Sequence, residues 1–281
     1  MRCSKIIISF IYPIMKNLEK IERVVLNNMR YYKVTHFADK NDTEGKVIGI
    51  FPSVTSVLGA TADKTFLKKW ENKIGKEKAE YITKSAGRRG TVMHRLCELY
   101  LSLPNMMEPE DRLDETLRMS TNDKEINEFD NRAKIVGGML FYNFIRNNTF
   151  QLIKESKMQE RFLWTIRGGG YAGTVDNVSE LWNNEDCIID FKTARKKKDP
   201  NNIEDYKCQV GAYAVAVYDR TGLKPKSAHI LISNEKDNEP QDIFLDSKEL
   251  KLYYNKFLER LAIFYTKFPP IQIGEISTDL F

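Results

Sequence analysis

The chain has 281 residues, 42% of them hydrophobic, which is enough for one sizeable core and does not call for a second domain. Its 44 basic and 39 acidic residues leave a net charge of +5, so nucleic-acid binding is permitted but must rest on local clusters. Cys3, Cys97, Cys187 and Cys208 include no Cys-x-x-Cys pair, which argues against a disulfide framework and for reduced thiols inside a cell.

At the N-terminus, the apolar run Ile6 to Met15 contains Pro13 and is too short to span a bilayer. A secretory signal, a mitochondrial presequence and a true start at Met15 or Met29 all stay open for this stretch. From Thr55 to Leu103 the chain reads as helical. Within it, Val92, Leu96, Leu99, Tyr100 and Leu103 mark an amphipathic helix from Thr91, with His94 one turn in and Gly87-Arg88-Arg89-Gly90 as the loop before it. Arg88 and Arg89 are placed to meet phosphate or, equally, solvent. Residues 104 to 122 are polar and read as a loop. Ile126, Phe129, Ala133, Val136, Leu140 and Phe144 then form the apolar stripe of a longer helix.

Three strands follow. Glu160 to Ile166 leads into Gly168-Gly169-Gly170, Tyr171 to Leu181 into the turn residues Asn183-Asn184-Glu185-Asp186, and Cys187 to Lys192 is an apolar, β-branched run. A hairpin centred on Asn183 sets Asp176 opposite Asp190, and one centred on Gly168 sets Glu160 opposite Asp176. Period-2 alternation sends Asp190 and Lys192 to one face and Phe191 to the other. Like charges facing each other in a sheet are unfavourable unless compensated, and a divalent cation between hard oxygen ligands compensates them. The basic loop Arg195-Lys196-Lys197-Lys198 lies just beyond, suited to a phosphate backbone although such runs are commonly only solvated. Gln209 and Tyr213, four apart, share a flank of the next helix. A last helix carries Leu250, Tyr253, Phe257, Leu261 and Phe264 and ends before Pro269-Pro270.

The motifs Gly90-x-x-x-His94, Glu160, Gly173-Thr174-Val175-Asp176, Asp190-Phe191-Lys192-Thr193 and Gln209-x-x-x-Tyr213, with Pro52 to Leu58, Trp70 and Gly75 upstream, resemble the RecB-like branch of the PD-(D/E)XK nuclease superfamily. Within that branch the chain is most similar to the phage exonuclease and mitochondrial genome maintenance exonuclease group, over roughly residues 31 to 265. The resemblance implies an α/β fold of restriction-endonuclease type. A central mixed sheet would contain a three-stranded antiparallel meander flanked by helices, with a helical N-terminal portion. It divides the chain into an extension of open status (1–30), one nuclease domain (31–268, with 31–150 a mainly helical cover and 151–268 the catalytic core) and a tail (269–281).

It also implies a magnesium-dependent deoxyribonuclease, manganese substituting, that trims single-stranded DNA or strand ends in replication, repair or recombination. An endonuclease on duplex or branched DNA and a non-cleaving DNA-binding module are the alternatives. By the same resemblance His94, Asp176, Asp190 and the Phe191 carbonyl bind metal, Lys192 positions or activates the attacking water, and Glu160 is a further acid of the site. Gln209, Tyr213 and Thr193, with Arg88, Arg89 and the Arg195 to Lys198 loop, are the substrate contacts. Trp70, Tyr81, Tyr171 and Tyr213 are candidate stacking platforms for unpaired bases, with core packing as the competing reading. No iron–sulfur cluster and no membrane contact are expected. The setting is intracellular, a bacterial or phage-host cytoplasm ahead of a mitochondrion. The tail Ser277-Thr278-Asp279-Leu280-Phe281 vaguely resembles a sliding-clamp-binding peptide.

Overall fold

Two asparagines begin the described structure's first hairpin. In the computed structural model, which describes residues 19–39 and 41–271, Asn27 and Asn28 take φ of 52° and 60° and join β1 (Glu19–Leu26) to β2 (Met29–His36). Such a two-residue turn matches strand twist, and Asn tolerates the left-handed region. With β3 (Lys46–Pro52) these strands form an antiparallel sheet, whereas the sequence reading placed no strand here. Its apolar face buries Tyr32, Val34, Ile48 and Phe51 against Trp164 and Ala172, and Phe51 stacks on Trp164 at 5.5 Å between ring centroids. A bridge from Ser53 to Ala172 ties this sheet to the larger one. The readings placed on residues 1 to 16 and on the 277–281 tail lie outside the described residues.

Three helices follow: α1 (Val54–Thr61), capped by the Ser53 hydroxyl, α2 (Thr65–Ile74) and α3 (Lys76–Ser102). The last corrects the expected loop at Gly87 to Gly90, because α3 runs unbroken for 27 residues and places His94 well inside it. Glycines ordinarily weaken a helix interior, but here close packing compensates. Gly90 lies against Thr193, and the neighbouring helix approaches so closely that a Cβ on Gly137 would come within 2.6 Å of the Val92 Cβ.

Residues 104 to 122 are not a loop throughout. Pro109 at the first turn, Glu110 and Asp111 beside it and Arg118 in the last turn start, stabilise and complement α4 (Pro109–Thr121). The apolar stripe from Ile126 is likewise split: α5 (Lys124–Asn127) is one short turn, and α6 (Asn131–Arg146) begins anew where the Asp130 carboxylate accepts the Ala133 N–H at 3.0 Å.

The main sheet contains β4 (Ile153–Thr165), β5 (Tyr171–Leu181), β6 (Asp186–Ala194), β7 (Ser227–Asn234) and β8 (Gln241–Leu245), in that spatial order. All neighbours are antiparallel except β6 and β7, which α7 (Glu204–Thr221) connects as a crossover. The mixed sheet, the antiparallel meander β4–β5–β6 and the flanking helices match the expected fold. Helix α8 (Ser247–Lys267) starts at a capping box between Asp246 and Glu249 and ends before Pro269, as its apolar spacing predicts. One face of the sheet buries Ile188 and Ile230 under α1, α7 and α8, and the other buries Ile189, Phe191 and Leu231 under α3 and α6. Side chains such as Phe257 and Phe144 are fully enclosed there, each worth about 1.5–3 kcal/mol of transfer free energy.

Both meander turns give the anticipated register. Asn177 pairs with Ile189 and Glu180 with Asp186 about Asn183, while Arg161 pairs with Val175 and Thr165 with Tyr171 about Gly168. Gly168, Gly169 and Gly170 all take positive φ in the second turn, where a side chain would be strained. The bulges in β4 fall at Ile153/Glu155 and Ser156/Met158, away from the facing acids.

Candidate metal centre and nuclease site

The alternation of β5 slips where the chemistry sits. Val175 and Val178, three positions apart, both enter the core under α7 and α8. A strict period of two would separate them. Between them lies Asp176, and across the ladder Glu160 adopts φ of 44°, a left-handed conformation costly for a residue with a side chain. The ladder between β5 and β6 stops at Asn177 and Ile189, and beyond it the Asp176 Oδ2 accepts the Phe191 N–H at 2.8 Å. The carboxylate thus replaces a backbone partner and turns toward α3.

There it meets His94. The His94 Nδ1 lies 3.6 Å from Asp176 Oδ2 and 3.9 Å from Glu160 Oε1, and these three side chains offer ligand atoms all within 4.8 Å of one another. The His94 ring is fixed edge-on to Phe191 at 6.0 Å. Burial opposes charge on the imidazole, but Asp176 and Glu160 outweigh it and raise its pKa. Burial raises Glu160 as well, with a partial offset from His94. One imidazole nitrogen and two carboxylates suit a hard divalent cation, and neutralising the acids is the service such an ion would perform.

Asp190 and Lys192 share a face of β6 as the alternation predicts, while Phe191 packs oppositely against Phe144 and Phe150. Asp190 does not join the three-residue cluster. It is 1% exposed, its Oδ2 forms an ion pair with Lys192 Nζ, and its Oδ1 accepts from Gln209 Nε2 on α7 at 3.2 Å. Burial, only partly countered by Lys192, lifts its pKa to about 6. Lys192 is penalised by burial too, but Asp190 and Asp176 more than restore its charge and raise its pKa. The ammonium also lies 3.4 Å from the Phe191 carbonyl oxygen and 5.3 Å from the Tyr206 ring centroid. Tyr206 was not among the sequence candidates for the site; its signal is the three-residue spacing to Gln209.

Gln209 Nε2 also lies 3.5 Å from the Tyr213 hydroxyl. Tyr213 packs so tightly over Gly173 that a Cβ there would come within 2.7 Å of its ring. Tyr213 and Tyr171 are buried, and Tyr171 donates to the Ala212 carbonyl, so neither is a stacking platform. Core packing won at both, because Tyr171 fills the space between the sheet and α7 and α8 while Tyr213 points from α7 onto Gly173 of the sheet. Tyr81 is 65% exposed and Trp70 half-buried.

Three of the outlying basic candidates form ion pairs within the protein. Arg88 pairs with Asp130 at 3.3 Å, Arg89 with Glu235 at 2.7 Å, and Lys197 with Asp237 at 2.9 Å. The Lys198 N–H donates to Gln241 Oε1 at 2.6 Å, and Arg195 and Lys196 are exposed on the same loop. Thr193, next to last in β6, lies beside Gly90 of α3.

A family model of the PD-(D/E)XK nuclease superfamily matches residues 66–268, most of the chain. The chain belongs to that superfamily. The cluster of His94, Glu160 and Asp176 is a candidate site for a divalent metal of the kind that nucleases of this superfamily use. Among solved structures, the chain is similar to a provisionally assigned exonuclease from Eubacterium rectale at 13% identity and a TM-score of 0.35, covering 57% of this chain and 61% of that one. It is also similar to SSO0001 at 14% identity and a TM-score of 0.30, covering 60% of this chain and 84% of that one. The match thus spans less than two thirds of the Eubacterium protein. No curated protein matches the sequence. No helix among the described residues is long and apolar enough to cross a membrane.

Proposed function

We propose that this nuclease is a magnesium-dependent DNA exonuclease of the RecB-like branch, trimming single-stranded DNA or strand ends in replication, repair or recombination. The observation that carries the reading is the convergence of His94, Glu160 and Asp176 within 4.8 Å beside the buried Asp190 and Lys192 pair. His94 and Asp176 would hold the metal with Glu160, and Asp190 and the Phe191 carbonyl would complete the site. A bound magnesium supplies charge stabilisation to the phosphoryl and leaving oxygens and a polarised water.

The remaining work falls to the chain itself. Lys192, kept as an ammonium by Asp190, donates to the attacking water and holds it in line with the phosphorus. Gln209 fixes Asp190 and so fixes Lys192. The loop from Arg195 to Lys198, with Thr193, Arg88 and Arg89, contacts the substrate backbone. Surface pairs such as that of Lys197 are worth little, so phosphate can displace the acid.

The requirement for an end is supported by the sequence resemblance and by α3, which continues ahead of His94 with Tyr81 exposed, as a wall past which one strand would thread. Digestion of end-labelled linear and closed-circular single strands with magnesium tests it. Linear strands should shorten progressively while circles stay intact, and rapid linearisation of circles would replace the exonuclease reading with an endonuclease one.

A further inference from the structure

Arg112 is a buried cation that forms no ion pair among the described residues. On α4 it is 6% exposed, its Nε donates to the Tyr100 carbonyl at 2.8 Å, and its guanidinium lies 4.2 Å from the Tyr100 ring centroid. Its Nη2 is shielded from solvent and has no hydrogen-bond partner among the described residues. Burial pushes the guanidinium's pKa down, with only a partial offset from Tyr100. An uncompensated buried charge of this kind is costly, and an anion is its natural partner.

The same side chain lines a cavity of about 340 Å³ between α3, α4, α6 and the β5–β6 turn, a volume typical of small-molecule sites. No acidic residue lines it among the described residues. Phe150 and Trp182 give it aromatic walls, and Asn105 and Asn148 add amides. Trp182 is 66% exposed at the turn yet is held in place, its Nε1 donating to the Gln151 carbonyl at 2.7 Å. The cavity is separate from the cleavage site, because Phe144 and Phe150 stand between it and the catalytic strand, each 5.9 Å from Phe191.

We propose that this cavity binds a nucleoside monophosphate, with the phosphate on Arg112 and the base on the Trp182 ring. Arg112 lines the cavity and a guanidinium matches a phosphate, while an exposed indole offers a face to any base. The choice of a nucleotide rests on the exonuclease reading, in which each cleavage at a strand end can release one. Glu108, Glu110 and Asp111, exposed next to Pro109 and Arg112, disfavour a polyanionic strand and favour the free mononucleotide.

Isothermal titration calorimetry of the metal-free protein with deoxyadenosine monophosphate, deoxyadenosine and inorganic phosphate tests the proposal. One saturable site for the monophosphate is expected, with the nucleoside and phosphate each at least about tenfold weaker. Arg112→Met, close in volume and free of the buried charge, should weaken binding at least about tenfold, as should Trp182→Ala at an exposed position, whereas Lys192→Ala should leave it unchanged. Thermal melts establish that each variant is folded, and the exposed Trp182 keeps the test decisive if Arg112→Met does not fold. Absence of saturation at millimolar monophosphate, affinity indifferent to both cavity variants, or phosphate binding as tightly as the nucleotide would each overturn it. The titration contains neither metal nor DNA, so failure of the exonuclease reading in the circle assay is a separate result.

Discussion

The Asp176 carboxylate, one position beyond the last ladder pair of β5 and β6, accepts the backbone N–H of Phe191, two positions beyond it, at 2.8 Å. One oxygen therefore orders the strand that carries Asp190 and Lys192 while facing His94. Asp176→Asn keeps an acceptor for that N–H but loses the charge. It should retain the fold and lower magnesium-dependent cleavage by more than about 100-fold. Circular dichroism melts and a single-strand digestion assay read the two effects separately, and near wild-type cleavage would refute the assignment.

Asp190→Asn should also abolish cleavage but at a cost in stability, because the Lys192 ammonium would be left without its carboxylate. An unpaired charge of this kind costs roughly 1–3 kcal/mol at neutral pH. Urea unfolding should show a lower midpoint than for Asp176→Asn, and the double variant Asp190→Asn with Lys192→Met should recover much of the difference.

Gln209 acts through Asp190, to which it donates at 3.2 Å. Gln209→Leu should reduce turnover by about 10 to 100-fold, the usual range for a residue that orients a metal-site side chain. Gln209→Glu should reduce it further by placing a second carboxylate beside Asp190. Magnesium titrations of the rate check this; equal activity in both variants would remove Gln209 from the site.

Gly173→Ala should destabilise the protein by roughly 1–3 kcal/mol, since its Cβ would fall 2.7 Å from the Tyr213 ring, which is buried and has no room to retreat. A thermal melt equal to wild type would show that Tyr213 is free to move.

Glu180 bridges Lys154 and Lys157 at 2.5 and 2.7 Å, and these contacts lower its pKa from 4.5 to about 2. A depressed carboxylate contributes stability above its unfolded value and loses it on protonation. The contribution should therefore be complete above about pH 4.5 and vanish as the pH falls toward 2. Urea midpoints of wild type and Glu180→Gln should differ at pH 7 and converge at low pH; a constant gap would contradict this origin.

The meander was legible in the chain because local signals determine it. Asn183 to Asp186 and the three glycines are turn chemistry, and turn position dictates register, so the pairings of Asn177 with Ile189 and of Arg161 with Val175 followed from sequence separation, while the expected facing of Asp176 and Asp190 lies just past the end of the ladder. The two helices with strong apolar spacing, α7 and α8, were legible for a similar reason. The hairpin turn at Asn27-Asn28 carries a comparable signal in its pair of asparagines.

Other features depend on neighbours distant in sequence. At Gly90 the helix is held where Thr193 of β6 and, at neighbouring positions, Gly137 of α6 close on α3, and whether Tyr171 stacks on bases or fills a core was settled by α7 and α8. The division of the acids has the same origin. Alternation predicts one cluster of three carboxylates, yet the slip at Asp176 and the left-handed Glu160 send two of them to His94 while Asp190 turns to Lys192 and Gln209. By itself the sequence determined the register of the meander that carries these charged groups, since that is counted along the chain. Which of them pair, which stay available for a metal and which are sealed was decided by the helices packed on each face, because only tertiary burial sets the cost of leaving a charge alone.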